Sequence, residues 1–113
     1  MSQGWIGVDL DGTLAHYETW VGPLDIGAPV LPMVERVKRW LSEGREVRIF
    51  TARACEGRPE MIEAIERWCE EHIGRRLQVT NVKDYEMDEL WDDRAVQVYP
   101  NTGLPVGGSR RGL

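Results

Sequence analysis

Trp5-Ile6-Gly7-Val8-Asp9-Leu10-Asp11-Gly12-Thr13-Leu14 is the stretch that decides the fold. Its first half is short and apolar, which suits a buried parallel strand, and its second half breaks onto carboxylates and a glycine, as a strand does where it opens into a site. Alternate residues of an extended segment point the same way, so Asp9 and Asp11 face one small volume while Leu10 turns into the core. Gly12 permits a tight turn directly behind them. Two carboxylates held that close repel each other, which calls for a bound divalent cation or a raised pKa on one of the pair.

Outward from this strand, Gly22, Pro23, Gly27 and Pro29 punctuate an irregular stretch over 13–29, long enough to be a functional flap. Val30, Val34, Val37, Trp40 and Leu41 fall at helical spacing, with Pro32 in the first turn and Gly44 as the stop. Residues 46–51 predict a second strand that ends on Thr51. Pro59 opens a second helix, closed by Gly74, whose Met61, Ile62, Ile65, Trp68 and Cys69 share a face. Short strands are expected over 77–80, 89–91 and 95–98. Strand, helix, strand, helix, strand in this order predicts an α/β fold: a three-layer Rossmann-like parallel sheet flanked by helices. One catalytic domain over 1–102 with its flap at 13–29 is expected, followed by a flexible, glycine-rich tail over 103–113.

The bulk composition agrees with a single globular domain. The chain has 113 residues, 42% hydrophobic and 29% charged, with a net charge of −5. That charge argues against broad electrostatic binding to nucleic acid, which rests on neutralising many phosphates. No apolar run approaches the roughly 18 residues of a spanning helix, and the chain enters a strand within a few residues instead of a secretion signal, so no membrane partner and a cytoplasmic location are expected. Cys55 and Cys69 lack the spacing of a redox or zinc pair. Lys38 and Lys83 are the only lysines among 14 basic residues.

Ligands of parallel sheets bind beyond the carboxyl ends of the strands. Asp9 and Asp11, Thr51, Lys83, and Asp92 with Asp93 all fall just after strands. For phosphoryl transfer, Asp9 would attack phosphorus, while Asp11 gives a proton to the departing oxygen and later takes one from water. Magnesium favours oxygen ligands and commonly takes one or two carboxylates, so Mg2+ is the expected cofactor, held by Asp9, the backbone carbonyl of Asp11, and Asp92, with Asp93 behind them. Thr51 and the backbone amides after it can donate to phosphoryl oxygens, which brings Ala52 and Arg53 to the substrate, where Gly12 is expected as well, and Lys83 supplies a point charge. Lys38 lies inside the first helix, far from any strand end. Arg53 and Arg58 either bind a further anionic group or are solvated surface. Tyr17 and Trp20 either stack on a substrate or anchor the flap.

In this order, Asp9-Leu10-Asp11-Gly12-Thr13-Leu14, Thr51 within Ile49-Phe50-Thr51-Ala52-Arg53, Lys83, and Asp92-Asp93 resemble the four signature motifs of the haloacid dehalogenase superfamily of phosphohydrolases, and more narrowly its small bacterial and phage members. The resemblance spans residues 5–93. It implies a magnesium-dependent phosphatase acting on phosphate monoesters through an aspartyl phosphate. Relatives often insert a cap domain, for which neither interval has space here. A capless site accepts a large substrate such as a nucleic-acid end, or is covered by a second subunit; nucleotides and small phosphorylated metabolites are the other substrates expected. The alternative is a catalytically idle protein that keeps the site for metal and phosphate recognition. Carbon–halogen hydrolysis is disfavoured, because that branch lacks the second aspartate that Asp11 provides.

Overall fold

Four consecutive buried residues, Trp5–Val8, form strand β1. In the computed structural model, which describes residues 3–107, the chain continues through helix α1 (Leu31–Ser42), strand β2 (Glu46–Phe50), a 3₁₀ turn (Ala52–Ala54), helix α2 (Pro59–His72), and strands β3 (Val79–Thr80) and β4 (Met87–Trp91). The strand order is β3-β2-β1-β4, with every pair parallel. A strand with neighbours on both sides and cover on both faces reads as an unbroken apolar run, which is why β1 does not alternate. The expected α/β class, a parallel sheet flanked by helices, is the architecture that forms.

Both crossovers, β1 to β2 and β2 to β3, step the same way across the sheet, and both helices share one core. Ile6, Val8, Val47 and Ile49 face Met33, Val34 and Val37 of α1, and Ile65, Trp68 and Cys69 of α2. Leu10 and Leu14 are fully buried in that same cluster. Each helix has proline in its first turn and needs no side-chain cap there.

The opposite face carries Trp5, Arg48 and Phe50, and its cover is irregular. The link 81–86 returns from the end of β3 to the start of β4. Three strand spacings sideways and four residues back amount to about 19 Å, within the about 23 Å that seven extended steps reach, so the link is nearly taut and leaves no slack for a helix. Asp84 pins it. Its carboxylate accepts from Trp5 Nε1 at 2.8 Å and pairs with Arg48 at 3.6 Å, while the Arg48 guanidinium lies 4.4 Å from the centre of the Trp5 ring.

The strand expected over 95–98 does not form. Only 92–94 separate it from β4, too few for the dozen or so residues a parallel return needs. Residues 97–99 instead fold locally onto 104–106: the Tyr99 N–H donates to Leu104 O at 2.9 Å, and the Val106 N–H donates to Gln97 O at 2.8 Å. The expected tail therefore begins inside a turn. Its remainder, 108–113, lies outside the described residues.

Candidate active site

The sheet register puts Asp9 and Asp92 side by side. Val8 aligns with Trp91, and the Asp9 N–H donates to Trp91 O at 2.9 Å. Both aspartates are thus the first residue past the ends of neighbouring parallel strands. Behind Asp9 the chain closes a tight turn, with Gly12 N–H donating to Ala15 O and Ala15 N–H donating to Leu10 O, each at 2.8 Å. Gly12 has φ +91°, and a Cβ there would stand 2.5 Å from Asp93 Oδ2. Glycine is therefore favoured by the left-handed backbone, and the Asp93 carboxylate lies close against it. Thr13 Oγ1 sits 3.4 Å from both Asp9 Oδ2 and Asp93 Oδ1, bridging the two at long range.

One carboxylate oxygen from each of Asp9, Asp92 and Asp93 lies within 4.8 Å of the other two. Among the described residues, no lysine, arginine or histidine side chain pairs with Asp9 or Asp92. The Asp9 carboxyl is pushed from 3.8 up to about 8, first by burial, then by hydrogen bonding to Asp93 and by the negative charge of Asp92. Such a cluster is relieved by a proton or by a cation. Three carboxylate oxygens gathered in this way could hold a metal ion.

The Asp11 carboxylate is not part of this group. Its two oxygens accept from Arg53, Nε to Oδ2 at 2.8 Å and Nη2 to Oδ1 at 2.9 Å. Arg53 also donates to the carbonyls of Gly22, Pro23 and Asp25 at 3.4, 3.0 and 2.9 Å. These bonds occupy all five of its N–H donors, and the residue is only 6% exposed. Of the two roles open to Arg53, neither solvated surface nor a free anion receptor describes this side chain. Its guanidinium is spent inside the protein, with the Trp20 ring 4.8 Å away.

Thr51 is buried beneath the site. Its hydroxyl accepts from the Arg53 N–H at 3.1 Å and caps the 3₁₀ turn, which leaves its own O–H free to donate. A cavity of about 710 Å³ opens above, lined by Asp9, Asp11, Thr51, Ala52, Arg53, Asp92 and Asp93 near the strand ends, by Tyr17, Trp20 and Pro23 of the flap, and by Phe50, Glu56, Met61, Arg58 and Arg94 around the rim. Gly12 lies outside that lining, on the far side of Asp93. Cys55 lines the cavity as an exposed free thiol, while Cys69 is in the core, its thiol pushed up to about 12 by burial.

Lys83 is not brought to the site. It follows β3 by three residues, is exposed, and stands outside the cavity lining. Proximity in sequence to a strand end does not hold it there, because the link 81–86 leaves that end to cross the second face. His16 is also exposed and outside the lining.

Sequence reasoning missed the bond between Arg53 and the flap. Its partners lie 28 to 42 residues away, and no local pattern marks the carbonyls it binds. The cavity's apolar rim was equally hidden, since Phe50 and Met61 sit in elements whose periodicity announces only a strand and a helix.

No protein-family model matches the sequence, and no curated protein matches it significantly. Among solved structures, the chain is similar to a conserved protein of Bacteroides thetaiotaomicron, with 24% identity and a TM-score of 0.63 over 88% of this chain and 84% of that one. At that identity the likeness supports the fold alone.

Proposed function

We propose that this protein is a metal-dependent phosphomonoester hydrolase with Asp9 as nucleophile. The observation that carries the reading is the meeting of Asp9, Asp92 and Asp93 at one point, beside a cavity large enough for a phosphate ester. The motif resemblance of residues 5–93 points the same way. Asp9 and Asp92, with Asp93, would hold the cation, magnesium by the chemistry of the donors. When bound, it supplies positive charge to an anionic substrate meeting an anionic nucleophile.

An Asp9 oxygen forms a bond to phosphorus as the ester P–O bond breaks, and the leaving oxygen takes its proton from Asp11 or from solvent. Water then attacks phosphorus and gives a proton to the Asp11 carboxylate or to solvent, the Asp9–phosphorus bond breaks, and phosphate leaves with Asp9 restored. Thr51 donates its hydroxyl to a phosphoryl oxygen. For Asp11 to serve as the proton donor, its carboxyl must take up a proton and swing out of the Arg53 fork, while Arg53 keeps its bonds to the flap carbonyls.

The exposed Lys83 and the engaged Asp11 favour a second reading, a protein that binds a cation and a phosphate group without turning over. One assay separates them: hydrolysis of para-nitrophenyl phosphate with magnesium and with chelator, beside Asp9→Asn. The first reading expects turnover that needs both the metal and Asp9. Absence of turnover on a broad panel of nucleotides, oligonucleotide ends and sugar phosphates, with metal binding intact, would establish the second.

A further inference from the structure

We propose that Arg53 is a positioning residue that fastens the flap in place as the wall of the leaving-group pocket, and that the pocket so formed selects phosphate compounds bearing a flat, unsaturated group. The phosphoryl end of this inference rests on the proposed function; the fastening does not.

Arg53 ties three separate parts of the chain together. Its backbone N–H is bonded to Thr51 at the end of β2, its fork closes on Asp11 just past β1, and its remaining donors hold the carbonyls of Gly22, Pro23 and Asp25. Three flap carbonyls within four residues converging on one cation fix the backbone path of 22–25 more tightly than the sparse bonds within the flap, among them His16 N–H to Ala28 O and Asp25 N–H to Gly22 O. A guanidinium presents five donors in a planar fork, which an ammonium cannot copy. Trp20 lies against that plane, so the same group backs the ring by a cation–π contact.

The consequence is a fixed aromatic wall. Trp20 is 53% exposed and lines the cavity with Tyr17 and Pro23, while Phe50 and Met61 line it from the sheet and α2. A flat apolar group attached to the phosphate finds rings to lie against, whereas a small polyhydroxylated group finds few partners there. Arg53 therefore acts on the bound compound through the flap and not by touching the phosphate.

The test reads binding and motion, so it does not depend on turnover. With magnesium present, the affinities of 1-naphthylphosphonate and phenylphosphonate are measured by calorimetry for the wild type, Arg53→Lys and Trp20→Ala. The wild type is expected to prefer the naphthyl compound by about tenfold, from the added ring area, and both variants to bind the two nearly equally. In parallel, amide hydrogen exchange at His16 and Asp25 should quicken at least about tenfold in Arg53→Lys, with the amides of β1 and β2 unchanged. Because Trp20 is exposed, Trp20→Ala keeps the binding test valid if Arg53→Lys fails to fold. Equal affinities in the wild type, an undiminished preference in Trp20→Ala, or flap exchange unaltered in a folded Arg53→Lys would each overturn the proposal. A preference and a quickened flap without any ester hydrolysis would overturn the proposed function and leave this inference standing.

Discussion

Leu10 and its neighbours Asp9 and Asp11 are adjacent in sequence and belong to two different kinds of surface. Leu10 is fully buried with Ile6, Val8 and the apolar faces of both helices, a region that closes on itself and needs nothing from solvent. Asp9 stands at the carboxyl edge of the same sheet with Asp92 and Asp93, where three acidic groups meet and Asp9 is raised to about 8. The helical side stabilises the fold; the edge is tolerated by it. Acidic groups gathered at a cost to stability are what the cation site proposed above calls for.

That contrast predicts substitutions of opposite sign. Asp9→Asn should lower phosphate-ester turnover by about 10⁴-fold, since no other group is placed to take its part, and should raise the thermal midpoint of the metal-free protein at pH 8. Leu10→Ala, one residue away, should lower unfolding free energy by about 3 kcal/mol in denaturant titration. If both destabilise the metal-free protein equally, the two surfaces are not the distinct regions described here. Asp92→Asn should weaken magnesium binding, read by calorimetry, about 10- to 100-fold, and Asp93→Asn less, because Asp92 continues the strand that aligns with Asp9.

The pH dependence of stability sharpens the same comparison. Between 3.8 and about 8 the folded acidic cluster holds a proton that the unfolded chain has released. Folding therefore takes up protons in this window, and the stability of the metal-free protein should fall as pH rises from about 4 to about 8. Saturating magnesium binds the deprotonated cluster, so the fall should flatten, and magnesium affinity should itself increase with pH over the same range. Thermal midpoints across this range, with magnesium and with chelator, check both statements. The smallest effect belongs to Lys83→Ala: exposed and away from the cavity, it should change turnover by less than about twofold.

The sequence made most of the sheet side legible. Pro32, Gly44, Pro59 and Gly74 mark the helix ends, and the apolar spacing of Val34, Val37, Ile65 and Trp68 names the faces that pack, because these are local signals. The acidic cluster was legible for a related reason: residues just past the ends of adjacent parallel strands must meet, and Asp9 and Asp92 are such residues. What stayed hidden depends on paths and not on periods. Lys83 reads as a strand-end residue until the taut link 81–86 carries it away, and residues 95–98 read as a strand until the shortage of chain behind β4 forbids a parallel return. Arg53 shows no sign of its role, because backbone carbonyls at Gly22, Pro23 and Asp25 carry no side-chain signature.

The most direct test is a crystal structure of the protein grown with magnesium and beryllium trifluoride, which mimics a phosphoryl group on a carboxylate. The account predicts beryllium bonded to an Asp9 oxygen, with a cation held by Asp9 and by Asp92 or Asp93. A fluoride group bound elsewhere, or an acidic cluster without a cation under saturating magnesium, would contradict it.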